Sequence, residues 1–253
     1  MRVGRLYRLK RAASWHSSWL ISSTMAAVLL TLPGTPTAAS APADHAPDCF
    51  VLRCVALTFD DGPTQYTPSI LRLLEKHHAT ATFFVIGPHA LQHPTTVLRE
   101  QRDGDAIGDH TVTHPHLTAV SSARVRFELD RAAHDIASVT GHRPTLLRPP
   151  FGAYDSRTRA LAGQSGLAVV MWSLDPQDWR HISPGTIDRR LLNHVRAGDI
   201  VSLHDRYART LTALPRILTG LASSGFAFVT VPQMLAASGG THPGMLYHHG
   251  PRT

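Results

Sequence analysis

The stretch Val55-Ala56-Leu57-Thr58-Phe59-Asp60-Asp61-Gly62-Pro63 (VALTFDDGP) joins an apolar pentapeptide to two adjacent carboxylates. Val55–Phe59 has the composition of a buried strand, and the Gly-Pro pair closes it with turn chemistry. A strand sends successive side chains to opposite faces, and neighbouring carboxylates repel each other. The Asp60-Asp61 pair therefore needs a cation, or a division of labour between its members. A surface Asp-Gly-Pro turn is the plain alternative for the hexapeptide TFDDGP taken alone. The rest of the chain decides between them.

Downstream, strand-like and helix-like segments alternate. Thr67 reads as a helix cap followed by Pro68, with Ile70, Leu73 and Leu74 on one face. Thr82–Ile86 is a second strand, and Ser121 or Ser122 opens a helix whose buried stripe carries Val125, Leu129, Ile136 and Val139. Leu167–Trp172 and Ile200–Leu203 are short apolar runs that suit strands buried on both faces. Another amphipathic helix begins at Thr210, with Leu211, Leu214, Ile217, Leu218 and Leu221, and Phe226–Thr230 is a late strand. Repeated βα units with buried strands predict an α/β fold, a parallel sheet or barrel in a single domain.

The chain has 253 residues and a formal charge of +7. Arg2, Arg5, Arg8, Lys10 and Arg11 all precede residue 40, where there is no Asp or Glu. From residue 40 onward 20 basic residues face 18 acidic ones, a balance of +2. No basic patch remains to argue for nucleic acid. The five cations lead into an apolar stretch, Trp19–Leu32, and then into small residues. That order describes a secretory signal peptide over 1–39, with cleavage after Ala39. The stretch is shorter than the roughly 20 residues a membrane-spanning helix needs, although an uncleaved anchor is the alternative. The expectation is a secreted, extracellular or cell-wall-associated monomer with no stable membrane association after cleavage.

Export changes the reading of Cys49 and Cys54, the two cysteines of the chain. In an oxidising compartment they form a disulfide, since two thiols alone cannot close a tetrahedral zinc site. Residues 40–51 read as a linker, 52–236 as the folded domain, and 237–253, which lack periodicity, as a disordered tail.

The groups capable of chemistry follow the strands. Asp60 and Asp61 follow the first, His110 follows Ala106-Ile107-Gly108, and Arg148 follows Thr145-Leu146-Leu147. Asp178 lies past the Leu167–Trp172 run, and His204 ends the Ile200–Leu203 run. In a barrel of parallel strands one rim gathers all the carboxyl ends, and active sites are built there. In HTVTH (110–114) His110 and His114 are four apart, so on a helical turn both imidazoles face the same way. Two histidines and one carboxylate leave coordination positions open, as a catalytic metal site does. His116, beyond Pro115, should point elsewhere. One aspartate then completes the metal site and the other stays free as a base. The metal makes the adjacent charges tolerable and lowers the pKa of water toward about 7. Trp172, Phe83 and Phe84 read as core, and His77, His78, His248 and His249 as exposed.

Five short motifs occur in the order found in the polysaccharide deacetylases with a NodB-homology domain, carbohydrate esterase family 4. They are TFDDGP (58–63), HTVTH (110–114), RPPFG (148–152), DPQDW (175–179) and SLH (202–204). The chain resembles that family over about residues 52–236. The resemblance implies a distorted (β/α) barrel with fewer complete units than the eight-stranded form. It implies Asp60 as catalytic base, and Asp61, His110 and His114 as ligands of a divalent metal, most often zinc, with cobalt or others accepted. It further implies that Arg148 orients Asp60 and that the Phe151 backbone N–H helps hold the oxyanion. His204 is then the general acid, its tautomer and pKa set by Asp178, and Trp179 walls the acetyl pocket.

The family's Leu two residues before that histidine is replaced here by Ser202, which should share the pocket with His204 and offers a smaller, polar wall. The implied activity is removal of N-acetyl groups from GlcNAc-containing glycans, chitin or peptidoglycan. An O-acetyl esterase acting on acetylxylan is the alternative within the class. An inactive glycan-binding relic, or a metal scavenger using the 16 histidines after residue 40, stands outside it.

Overall fold

β1 (Cys54–Gly62) is buried along its whole length, and the sheet assembles around it. The structure, a computed structural model, describes residues 47–252. The expected signal peptide and most of the linker lie outside the described residues. After β1 come α1 (Thr67–Lys76), β2 (Thr82–Val85), α2 (Gly87–Gln92), α3 (Pro94–Arg102) and β3 (Ala106–Asp109). Then follow α4 (Ser122–Thr140), β4 (Leu146–Leu147), α5 (Ser156–Gln164), β5 (Ala168–Val170), α6 (Pro184–His194) and β6 (Asp199–His204). The last elements are α7 (Ala208–Ser223), β7 (Ala227–Phe228), α8 (Val231–Ala236) and β8 (Leu246–Tyr247).

The strands run in the order β6-β1-β2-β3-β4-β5-β8, with β7 on the start of β1 and every ladder parallel. Just past β5, Ser173 N–H donates to Ile200 O at 3.0 Å and Leu174 bridges Val201. The sheet thus curls until the chain leaving β5 meets the free edge of β6. This is the expected distorted (β/α) barrel.

Alternation along the strands sorts the side chains. Val55, Leu57 and Phe59 face outward, where Phe59 stacks on Phe83 and both pack with Ile70 of α1 and Leu214 of α7. Burying each such side chain contributes about 1.5–3 kcal/mol. Cys54, Ala56, Phe84, Leu146 and Ile200 face inward, with Met234 and Leu235 of α8 in the same cluster. Register then stacks the interior of β1 against β6 in layers, Ala56 beside Ile200, Thr58 beside Ser202, and Asp60 beside His204. The interior is apolar low down and becomes polar toward the carboxyl ends of the strands.

Cys49 and Cys54 are joined in a disulfide. Three expectations need correction. The segment read as a disordered tail is ordered: β8 lies parallel to β5, Met171 N–H donates to Tyr247 O at 2.7 Å, and Gly250 N–H donates to Gly198 O at 2.8 Å. Backbone hydrogen bonds to an open sheet edge hold it, and these leave no periodic signal in sequence. The domain therefore continues to residue 252 and does not end at 236. The late strand over Phe226–Thr230 contracts to Ala227–Phe228, because Thr230 turns to cap α8 with Gln233 in a reciprocal capping box. Thr67 is the first residue of α1 and not its cap; its hydroxyl accepts from Thr64 N–H and donates to Asp205.

Candidate active site

Strand alternation alone would send Asp60 and Asp61 to opposite faces. The ladder to β2 slips between Asp60 and Gly62, leaving Asp61 in a β-bulge with φ of 77°. Such a bulge re-aims a side chain, and here it turns both carboxylates into one cavity of about 390 Å³. The turn is held from outside, since His89 Nδ1 of α2 donates to Asp61 O at 2.9 Å. Gly62 is required by close approach: a Cβ there would lie 2.0 Å from Asp205 Oδ2. Asp205 is fully buried, and its carboxyl is pushed up to about 7, chiefly by that burial and against the Thr67 hydrogen bond.

Asp60 is the interior carboxylate. Arg148, itself fully buried just past β4, donates from Nη1 to both its oxygens at 3.0 and 3.2 Å. The guanidinium is fixed by bonds to Val170 O, Met171 O and the Thr58 hydroxyl, and lies over the Phe84 ring. A buried ion pair with all three guanidinium nitrogens engaged holds one geometry, since breaking any bond would strand a desolvated charge.

Asp61 faces the other way, toward the histidines. Its Oδ1 lies 3.4 Å from His110 Nε2 and 3.2 Å from His114 Nε2, and that buried oxygen has no hydrogen-bond partner. Burial alone would raise the Asp61 carboxyl; the two imidazoles and the charge on His204 hold it well below the ordinary carboxylate range. His110 Nδ1 donates to Arg148 O at 2.7 Å, so the proton sits on Nδ1 and the Nε2 lone pair points inward. These three atoms fit a metal: an orphaned carboxylate oxygen and two imidazole nitrogens converge, with a carbonyl behind one ligand to set its tautomer.

The expected helical turn over His110–His114 is not found. The segment is a loop with left-handed Thr111 (φ 68°) and His114 (φ 55°). Asp109 Oδ1 accepts from Thr111 N–H, the Thr111 hydroxyl accepts from His114 N–H, and Glu128 Oε2 of α4 accepts from both Val112 and Thr113 N–H at 2.8 Å. The histidines face together because side chains from neighbouring elements bend the loop, and the spacing of four is shared by accident with a helix.

Across the cavity His204 Nδ1 bonds Asp178 Oδ1 at 2.8 Å, and Asp178 Oδ2 accepts from His204 N–H and the Thr210 hydroxyl. Burial would lower the His204 pKa, but the Asp178 bond and charge, with smaller contributions from Asp60 and Asp61, raise it to about 9. Ser202 lines the cavity below His204, and Trp179 stands at the rim with Nε1 on Asp175 Oδ2 at 3.2 Å. Phe151 is 61% exposed, its ring stacked on His116 at 4.0 Å and edge-on to His114 at 4.5 Å. His116 accordingly joins the rim and not the three-ligand group.

Of the site residues expected from sequence, Asp60, Asp61, His110, His114, Phe151, Trp179, Ser202 and His204 line this cavity, while Arg148 and Asp178 are buried behind Asp60 and His204. Sequence reasoning missed five others that line it: Trp172, taken for core, and Pro149, Asp175, Arg206 and Tyr207. The last two follow His204 directly, so the position of a loop after a strand end was a usable signal.

A family model of polysaccharide deacetylases matches residues 49–170. A peptidoglycan-N-acetylglucosamine deacetylase of Listeria monocytogenes, PgdA, is 31% identical over 254 residues, covering 92% of this chain and 54% of its own length. The chain thus spans about half of that relative. A chitooligosaccharide deacetylase of Bradyrhizobium sp. (strain ANU 289) is 35% identical over 198 residues, covering 72% of this chain and 90% of the relative. Among solved structures, a T48 deacetylase with substrate superposes with a TM-score of 0.76 at 34% identity, covering 80% of this chain and all of the other.

Proposed function

The chain belongs to the polysaccharide deacetylase family, and from that premise we propose that it is a metal-dependent hydrolase removing N-acetyl groups from GlcNAc-containing glycans of the peptidoglycan or chitin type. The observation that carries this reading is the division of the two aspartates. Asp60 is pinned by Arg148 and Asp61 is aimed at two histidines, while the Asp178-backed His204 faces them across the cavity.

A divalent ion held by Asp61, His110 and His114, zinc or cobalt among the candidates, supplies Lewis acidity that polarises an acyl carbonyl and acidifies water. Asp60 accepts the proton of the attacking water, and Arg148 keeps its carboxylate aimed. The water oxygen bonds to the acetyl carbon and the C–N bond breaks. His204, protonated at neutral pH because its pKa is raised to about 9, donates its proton to the departing nitrogen. Acetate and a free amine leave. The Phe151 N–H helps hold the oxyanion, and Ser202, Trp172 and Trp179 wall the acetyl methyl.

An O-acetyl ester has a leaving group that needs less protonation, so a histidine held in its acid form favours the amide. Seven groups converging on one cavity argue against an inactive relic. Export with cleavage after Ala39 remains part of the proposal; a secreted chain beginning at Ser40 supports it, and a chain kept inside the cell with Met1 intact would overturn it. The activity is tested by acetate release from chitooligosaccharides, peptidoglycan and acetylxylan. Release from the first two with stoichiometric free amine is expected, and release from acetylxylan alone would sink the amidase reading.

A further inference from the structure

The cavity mouth has two chemically different sides. Phe151 and the metal-site histidine His114 form one. The other is the loop Arg206-Tyr207-Ala208-Arg209, which leaves β6 directly after His204 and Asp205. Arg206 lines the cavity with its side chain half-exposed, and its one contact to a carboxylate is Nη1 to Asp61 Oδ2 at 3.3 Å. A guanidinium carries five N–H donors in a planar fork, so most of Arg206's are left without a partner among the described residues.

Arg206 is not alone. Its guanidinium carbon lies 5.6 Å from the centroid of the Tyr207 ring, and that of Arg209 lies 4.6 Å from the same centroid, with Arg209 Nε buried and without a hydrogen-bond partner. Arg180 lies over the rim residue Trp179 at 4.9 Å. Asp61 is the one carboxylate among the described residues in ion-pair contact with any of these three arginines. The other carboxylate at this edge, Asp175, is engaged by Trp179 Nε1 and Gln177 N–H. In a chain close to neutral from residue 40 onward, this side of the mouth is locally cationic, and the aromatic rings hold its guanidiniums in place.

We propose that Arg206, supported by Arg209 over the same tyrosine, is a specificity-determining residue that selects acetylated amino-sugar glycans bearing a carboxylate over neutral ones. The proposal rests on the deacetylase reading and narrows its substrate class. A carboxylate near the scissile acetamide takes the free donors of Arg206 in a bidentate, charge-assisted pair. Sugar hydroxyls gain less from replacing water there. Because the site is partly exposed, the preference is salt-sensitive.

The test uses a tetrasaccharide of alternating GlcNAc and N-acetylmuramic acid, its methyl ester, and neutral chitotetraose. The methyl ester keeps the bulk and removes the charge. Metal-loaded full-length protein should turn over the acid with kcat/KM roughly tenfold above the ester at low salt, with the ratio falling as NaCl is added. Arg206→Ala and Arg209→Ala should each bring the acid-to-ester ratio toward one, and Arg206→Lys should retain part of it. Metal content is measured in every variant, because Arg206 touches Asp61.

Binding of acid and ester to the metal-loaded Asp60→Asn protein is measured by calorimetry. Equal binding and turnover of acid and ester by the parent chain overturns the proposal, as does a preference unchanged in both alanine variants. If no glycan releases acetate while Asp60→Asn still binds the acid more tightly, the deacetylase reading fails and the selectivity of the mouth stands.

Discussion

Where helices return the chain to strands, at the amino ends of β3, β4, β5, β6 and β7, the left-handed residue is Gly104, Gly141, Gly166, Gly198 or Gly225. At the carboxyl ends of the strands Gly152 is joined by five left-handed residues that carry side chains, Asp61, Thr111, His114, Phe151 and Gln177. A side chain in that conformation costs roughly 1–2 kcal/mol, and Thr111, being β-branched, is the least suited of the five. The amino end meets its backbone requirement locally, with glycine. The carboxyl end adds contacts from other elements, with His89 on Asp61 O and Glu128 on Val112 and Thr113 N–H, to the local bonds of Asp109 to Thr111 N–H and Asp175 to Gln177 N–H. The difference teaches that strain is placed where side chains must converge, and that the surrounding barrel holds it.

The largest effects should come from the strained end. Asp60→Asn keeps the shape and the metal but removes the proton acceptor, so kcat should fall by about 10²–10⁴ with metal content unchanged. Asp61→Asn, His110→Ala and His114→Ala should each lose high-affinity metal, with Asp61→Asn partly recovered in excess zinc. Metal analysis beside the rate decides between these outcomes. Stoichiometric metal in Asp61→Asn would mean the bulge serves no ligand, and the contrast between the two ends would lose its functional meaning.

A smaller effect concerns pH. With His204 raised from 6.5 to about 9, amide hydrolysis should hold up to that pH and fall above it. Asp178→Asn removes the main cause of the shift, so the alkaline limb should move down by more than one pH unit. Stability carries the same sign. A histidine with a raised folded pKa contributes its stabilisation in full below about 6.5 and loses it as pH rises through about 9. Thermal melts across that window should flatten in Asp178→Asn. An alkaline limb that stays in place would show that another group sets it.

The smallest effects belong to the amino end. At Gly141 (φ 79°) an added Cβ meets nothing within 4 Å, so Gly141→Ala isolates the backbone cost. It should lower stability by about 1 kcal/mol and leave kcat unchanged. His78 (φ 50°) is the exception at this end, a side chain where the other turns have glycine. His78→Gly should therefore gain about 0.5 kcal/mol. Denaturant midpoints read both, and a neutral Gly141→Ala would break the comparison.

Much of this molecule was legible in its residues. The apolar runs at Val55–Phe59 and Ile200–Leu203, separated by amphipathic helices, specify parallel buried strands, because burial on both faces and the 3.6-residue helical period are local properties. The Cys49–Cys54 disulfide was legible from the two cysteines, read with an expectation of export. The chemistry-bearing residues were legible as strand-end residues, since parallel strands must gather their carboxyl ends on one rim.

Tertiary structure decided the rest. It made Asp61 share a cavity with Asp60 through a bulge, and it bent the His110–His114 loop around Glu128 where the spacing suggested a helical turn. It drew the last residues onto the edge of β5, turned Trp172 into the cavity, and set Arg206 beside Asp61. The reason is common to all of them. Each depends on a hydrogen bond, an ion pair or a packing contact between residues far apart in the chain, and no local period records such a contact.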